Sequence, residues 1–153
     1  MKKVLIITAI FTIIDQVIKC ILQLIFSYTT YGDIINIIPN FFSLTYLENT
    51  GAAFSILSSN TLFLIIVSII ALFFIYVCFI KDKKLNNFDN IVYSMLLGGI
   101  FGNLIDRIFR GFVIDYLDFS VFNFPVFNFA DALIIISIIL IVIKMIKGEK
   151  NEI

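Results

Sequence analysis

The chain contains no histidine. That excludes Ser-His-Asp and Cys-His catalysis and the HExxH zinc sites, since each needs an imidazole. Charge is also scarce: only 14% of the 153 residues are charged, and the 11 basic residues balance the 11 acidic ones. A chain with no excess of either sign gives no reason to expect a nucleic-acid partner. There are two cysteines, Cys20 and Cys78, both inside apolar runs, and they are read as buried small hydrophobes. No internal repeat and no low-complexity linker is visible.

Hydrocarbon fills the space that charge leaves. Apolar residues make up 61% of the chain and the mean hydropathy is +1.08. An ordinary soluble domain is about half apolar and about a quarter charged, so this chain belongs in a membrane. Four runs have the length a bilayer demands: residues 4–22, 62–80, 91–109 and 127–143. The opening "MKKVLIITAIFTII" resembles a secretory signal. Asp15, Gln16 and Lys19 follow it without an A-x-A-like cleavage site, so it is read as a retained first helix. Eight of the 11 basic residues (Lys2, Lys3, Lys81, Lys83, Lys84, Lys144, Lys147 and Lys150) fall on one side if four spans alternate. The positive-inside rule makes that side cytoplasmic, with both termini there. Residues 23–61 and 110–126 then face outward. In the first, Phe42, Leu44 and Tyr46 alternate with Ser43 and Thr45 as in a half-buried strand. The second is rich in β-branched and aromatic residues. The expected fold is therefore one α-helical integral membrane domain, 1–153. It is a four-transmembrane-helix bundle carrying a small extracytoplasmic β-structure.

An ionisable side chain inside a spanning helix is a functional hypothesis by default. The first span carries Asp15, Lys19 and Gln23 at i, i+4, i+8. The third carries Asn103, Asp106, Arg107 and Arg110 at i, i+3, i+4, i+7, and the fourth carries Asp131 near its outer end. At 1.5 Å per residue, Asp15 lies roughly 17 Å from Val4, Asn103 roughly 18 Å from Ile91, and Asp131 roughly 20 Å before Lys144. All three fall in one layer of the outer leaflet. Bland readings remain open at this point. Asp15–Lys19 can be a self-neutralising pair, Asp106–Arg107 a structural clamp, Asp131 a helix N-cap, and Asp115 and Asp118 solvated loop carboxylates. The small residues Gly98, Gly99 and Gly102 favour close helix packing. Asp115 and Asp131 can also face each other and share a proton. That arrangement holds a water and works as acid and base without imidazole, thiol or metal. A Ser/Lys peptidase using Lys19 with Ser27, Ser43 or Ser55 and a cation-binding transporter are the competing classes.

Five motifs carry a resemblance to the lipoprotein signal peptidase (signal peptidase II) family over nearly the whole chain. "DQVIK" (15–19) resembles a DQxxK box, "NTGAAF" (49–54) an NxGAAF box, and "GGIFGNLIDR" (98–107) a GGxxGNxxDR box. "VIDY" (113–116) resembles a VxDF element, with Tyr116 where the family often has Phe, and "FNFAD" (127–131) matches FNxAD. The resemblance implies Asp115 and Asp131 as the catalytic pair. It implies Asn49, Gly99, Asn103, Arg107 and Asn128 around the substrate, and Asp15, Lys19 and Asp106 in support. No metal and no cofactor is implied. The implied partners are diacylglyceryl-modified prolipoproteins cut just before the lipidated cysteine, membrane lipid, and globomycin-type inhibitors. The implied location is the bacterial cytoplasmic membrane, with the site toward the outer face. The implied fold adds a β-cradle and a membrane-surface segment, for which "GAAFSILSS" (51–59) is the candidate.

Overall fold

The computed structural model describes residues 1–27, 34–51, 60–81, 84–119 and 124–149. Among the described residues, four helices are long and apolar enough to cross a membrane: α1 (Lys2–Ser27), α2 (Thr61–Ile75, prolonged by a π-helical turn over Tyr76–Ile80), α3 (Asn87–Phe109) and α4 (Phe129–Glu149). A three-stranded antiparallel sheet of β1 (Ile35–Ile38), β2 (Phe42–Asn49) and β3 (Val113–Asp118), in that order, completes the fold. The helical membrane architecture with a small sheet is as expected from the hydropathy pattern. The masses of exposed isoleucine, leucine and phenylalanine on α1, α2 and α4 are what a chain in lipid presents.

Helix directions follow from pairs that bind at one level. The Ser94 hydroxyl of α3 donates to the Val4 carbonyl of α1 at 3.1 Å, so these two run parallel. Lys144 of α4 pairs with Asp89 in the first turn of α3, so α4 runs the other way. The Tyr76 hydroxyl lies 3.9 Å from the Met1 sulfur, which brings the end of α2 to the start of α1. Successive spans therefore alternate. An apolar cluster of Val4, Ile75, Ile80, Leu96 and Leu97 fills this end of the bundle, and Leu22, Ile114 and Tyr116 fill the other.

Helix α3 lies at the centre, packed against the other three, and its glycines explain how closely. A Cβ on Gly98 would stand 2.7 Å from the Phe11 Cβ, and one on Gly102 would stand 2.5 Å from the Asp15 carboxylate. A Cβ on Gly99 would strike the Ala130 carbonyl of α4. Only hydrogen fits at these three crossings, which is the small-residue route to helix association in a bilayer.

Gly111, at φ +83°, turns the chain out of α3 into β3. β2 pairs with β3 through Leu44↔Leu117, Leu47↔Asp115 and Asn49↔Val113, with a bulge between Leu44 and Leu47. Side chains alternate along a strand. Ile114 and Tyr116 therefore point down onto Leu22 and its neighbours, while Leu47, Asn49, Val113 and Asp115 share the opposite face.

Two expectations are corrected here. Cys20 and Cys78 are exposed free thiols facing the surroundings of the bundle, because an apolar run in a membrane turns half its circumference to lipid. Gln23 is exposed, because at 3.6 residues per turn position i+8 has rotated roughly 80° from Asp15. Leu22, one residue earlier, holds the buried side. Segment 51–59 lies, beyond Gly51, outside the described residues.

Candidate active site

A cavity of about 400 Å³ opens between the sheet face, α3 and the first turns of α4. Asn49 and Asp115 enter it from the sheet, Asn103 and Arg107 from α3, and Asp131 from α4. Leu47, Val113, Phe124, Phe127, Ile134 and Ile135 supply much of an otherwise apolar lining.

Asp131 owes its position to how α4 begins. The Asn128 side-chain oxygen accepts from the Asp131 N–H at 2.9 Å, and the Asp131 carboxylate accepts from the Asn128 N–H at 3.2 Å. This reciprocal arrangement is a capping box. The expected N-cap role therefore belongs to Asn128, with Asp131 in the third helical position. The remaining first-turn donors are also satisfied. The Phe129 N–H donates to the Tyr116 hydroxyl at 3.2 Å and the Ala130 N–H to Asp15 Oδ1 at 3.2 Å. A helix that starts away from bulk water needs such partners, because every orphaned donor costs free energy there. Tyr116, where a phenylalanine is common in the resembled motif, thus joins β3 to α4 through its hydroxyl. Burial pushes its phenol above the usual range.

Amides hold both carboxylates. Asn103 Nδ2 donates to Asp131 Oδ1 at 2.7 Å. Asn49 Nδ2 donates to Asp115 Oδ2 at 2.8 Å, and Asn128 Nδ2 to Asp115 Oδ1 at 2.6 Å. Asp115 is nearly inaccessible, and its carboxyl is pushed up to about 6. Burial is the main cause and the charge of Asp131 adds to it, while the Asn49 and Asn128 amides and Lys19 oppose. Arg107 faces both carboxylates. Its NH2 donates to the Gly51 carbonyl at 3.0 Å, and its Nε is buried without a partner among the described residues.

Behind the cavity lies a sealed charge cluster. Lys19, fully buried, donates to Asp15 at 2.9 Å, to Asp106 at 2.8 Å and to Asn103 Oδ1 at 3.0 Å. Its three N–H bonds are all used. Asp106 also pairs with Arg110 and accepts from Gln16 at 3.0 Å. The partner of Asp106 is therefore Arg110, not Arg107 as the sequence suggested. Arg107, one residue on from Asp106, turns to the cavity instead. Gln16, absent from the sequence-derived set, accepts from Arg110 at 3.0 Å and donates to the Gly102 carbonyl at 3.1 Å. Its place beside Asp15 in the DQxxK box was the available signal. Gly99 packs under Ala130 and does not line the cavity, contrary to its expected place at the substrate. Ser43 donates to Asp118 and Ser27 to the Leu24 carbonyl, so neither engages Lys19; Ser55 lies outside the described residues.

Spanning helices that bring a pair of carboxylates into a cleft beneath a small sheet describe a membrane protein with a candidate active site. Solved structures agree. A bacterial membrane enzyme determined by the in meso method at 2.3 Å resolution matches with a TM-score of 0.87 and 37% identity, covering 100% of this chain and 93% of that one. A second, at 1.9 Å, matches with a TM-score of 0.82 and 38% identity, covering 96% and 94%. The lipoprotein signal peptidases of Staphylococcus aureus strains JH9 and Newman are each 40% identical over 150 residues, 96% of this chain and 90% of the relative. The family model described as signal peptidase (SPase) II matches residues 7–147. The chain belongs to the signal peptidase II family, and it is a peptidase of a bacterial membrane.

Proposed function

We propose that the chain removes the signal peptide from diacylglyceryl-modified prolipoproteins by an aspartic mechanism. In this reading Asp115 and Asp131 form the catalytic pair, and the cut falls just before the lipidated cysteine. One observation carries the reading: two carboxylates from β3 and α4 line one apolar cavity, and every oxygen is held by an amide N–H.

With one proton between them, the pair performs both halves of hydrolysis. The ionised carboxylate takes a proton from water, whose oxygen bonds to the scissile carbonyl carbon. The protonated carboxyl gives its proton to the carbonyl oxygen. As the tetrahedral intermediate collapses, the carboxyl that took the water's proton delivers it to the departing nitrogen, and the other carboxylate takes back a proton from a hydroxyl of the intermediate as the C=O reforms, which restores the one shared proton. The products are a carboxylate on the signal peptide and a free amine on the cysteine. Asn49, Asn103 and Asn128 fix the two carboxyl groups. Arg107 offsets their remaining negative charge. Asp15, Lys19 and Asp106 hold α1 and α3 in register behind them. The apolar lining suits the lipid moiety and the signal helix, and membrane lipid and globomycin-type inhibitors are the further partners of this reading. Both termini face the cytoplasm and the cavity the outer side. The support is that Lys2, Lys3, Lys84, Lys144 and Lys147 gather at the end of the bundle away from the cavity.

The deciding experiment is a gel-shift assay on one prolipoprotein with and without its diacylglyceryl group, with and without globomycin. Cleavage should require the lipid, leave cysteine as the new N-terminus, and stop with the inhibitor. Equal cleavage of the unlipidated form defeats the reading.

The pair's protonation sets a pH limb. Above about 6, Asp115 loses its proton in the free enzyme, so kcat/KM should fall as pH rises through that region. Folding stability follows the same sign. The native state binds the Asp115 proton more tightly than the unfolded chain. The associated stabilisation is therefore complete below the unfolded carboxyl's pKa, about 3.9, and is lost as pH rises through about 6. A kcat/KM that is flat from pH 5 to 8 (by about 10-fold steps in proton activity) removes Asp115 as the group that carries the shared proton.

A further inference from the structure

The aspartic reading makes use of Asn103 but leaves Lys19 as scaffold. We propose that Lys19 is a positioning residue for the reaction, and that its ammonium sets which way round the Asn103 side-chain amide faces and so presents an N–H donor to Asp131. The proposal rests on the dyad reading.

An asparagine amide has an oxygen end and a nitrogen end of nearly equal size, so packing alone does not choose between its two orientations. Charge chooses here. Asn103 Oδ1 receives Lys19 Nζ at 3.0 Å and Asn128 Nδ2 at 3.2 Å. Turned over, the amide would set its own N–H groups against a cation and a second amide donor, and its oxygen against the Asp131 carboxylate. The observed orientation, with Nδ2 at 2.7 Å from Asp131 Oδ1, is the one Lys19 permits. Lys19 is itself held. It is fully buried, and Asp15 and Asp106 take its other two N–H bonds. The chain of contacts runs from a fixed cation, through one amide, to a carboxylate in the cavity.

The charged groups around this chain come from every packed element: Asp15 on α1, Asp106, Arg107 and Arg110 on α3, Asp115 on β3 and Asp131 on α4. A test must keep their sum constant. Asp15→Asn/Lys19→Met removes one charge of each sign and leaves Asp106 to Arg110. Wild type is its charge-matched reference, and Asp15→Asn alone, which keeps the Lys19 donor, shows what the loss of Asp15 does by itself. With a lipidated prolipoprotein as substrate, the double variant should lose about 10- to 100-fold in kcat relative to wild type, and more than Asp15→Asn loses, with KM changed about 2-fold or less. Its pH–rate profile should move to higher pH, because an amide oxygen facing Asp131 makes the pair hold its proton longer. A role confined to packing moves neither the kcat/KM split nor the profile.

If the double variant does not fold, Asp15→Asn/Lys19→Gln is assayed in its place. It keeps two N–H donors but is one bond too short for Asn103, and the same losses are expected relative to wild type. A folded variant with the kcat and pH profile of its reference overturns the proposal. Asp115→Asn and Asp131→Asn run alongside. If they remain active, the dyad reading has failed; if they are dead while the Lys19 variants behave normally, only the positioning role has.

Discussion

Replacing either Asp115 or Asp131 by asparagine should lower turnover of a lipidated prolipoprotein by about 10⁴-fold or more, while substrate binding stays near normal. Asparagine has the shape of aspartate, but its NH2 end meets an amide donor where the carboxylate accepted, so each variant gives up one hydrogen bond. What is lost is the capacity to take and return a proton. At Asp115 the substitution also removes the carboxyl whose burial favours holding a proton, so one remaining carboxyl would have to serve as both acid and base. The two effects should not add in the double variant, because a pair that shares one proton fails as a unit. Thermal unfolding in detergent checks that each variant is folded. Turnover within about ten-fold of wild type in either folded variant would eliminate the pair as the catalytic machinery.

The second large effect is on folding rather than chemistry. Asp106→Ala should destabilise the protein by about 3–5 kcal/mol, the usual consequence of removing one partner from a buried charge network. Asp106 is inaccessible and receives Lys19, Arg110 and Gln16, and the Ile114 N–H approaches it at 3.4 Å. Without it, Lys19 retains Asp15, while Arg110 keeps its hydrogen bonds to Gln16 and Cys20 but loses its carboxylate partner. The α1–α3 crossing and the entry into β3 loosen together. The shift in unfolding midpoint should far exceed that of Ile13→Ala on the exposed side of α1. Equal shifts for the two would mean that the cluster contributes nothing to stability.

Much of this was legible in the sequence, for reasons that differ by element. The four helices were visible because a bilayer requires long unbroken hydrocarbon. The shared layer of Asp15, Asn103 and Asp131 followed from helical rise alone; the contacts Lys19–Asn103 and Asn103–Asp131 span it. The pairing of Asp106 was misjudged because adjacent residues on a helix point about 100° apart, and only the packing of α1 shows which of two arginines turns inward. The start of α4 was misplaced because Phe127 still belongs to the sheet, bridged to Leu117, so the helix waits for Asn128 to cap it. β1 was missed altogether. Its "INII" lacks alternation, three of its four residues are exposed, and pairing with β2 defines it rather than its own pattern.

The capping of α4 also has a consequence for the order of manufacture. Its first turn is completed by Asp15, near the beginning of the chain, and by Tyr116, just upstream. Both are added to the chain before Asp131, and until α4 follows, the Asp15 Oδ1 and Tyr116 hydroxyl acceptors lack the α4 donors they are to meet. No nascent chain short of residue 131 holds the cavity, so the protease comes into being only as the last helix arrives.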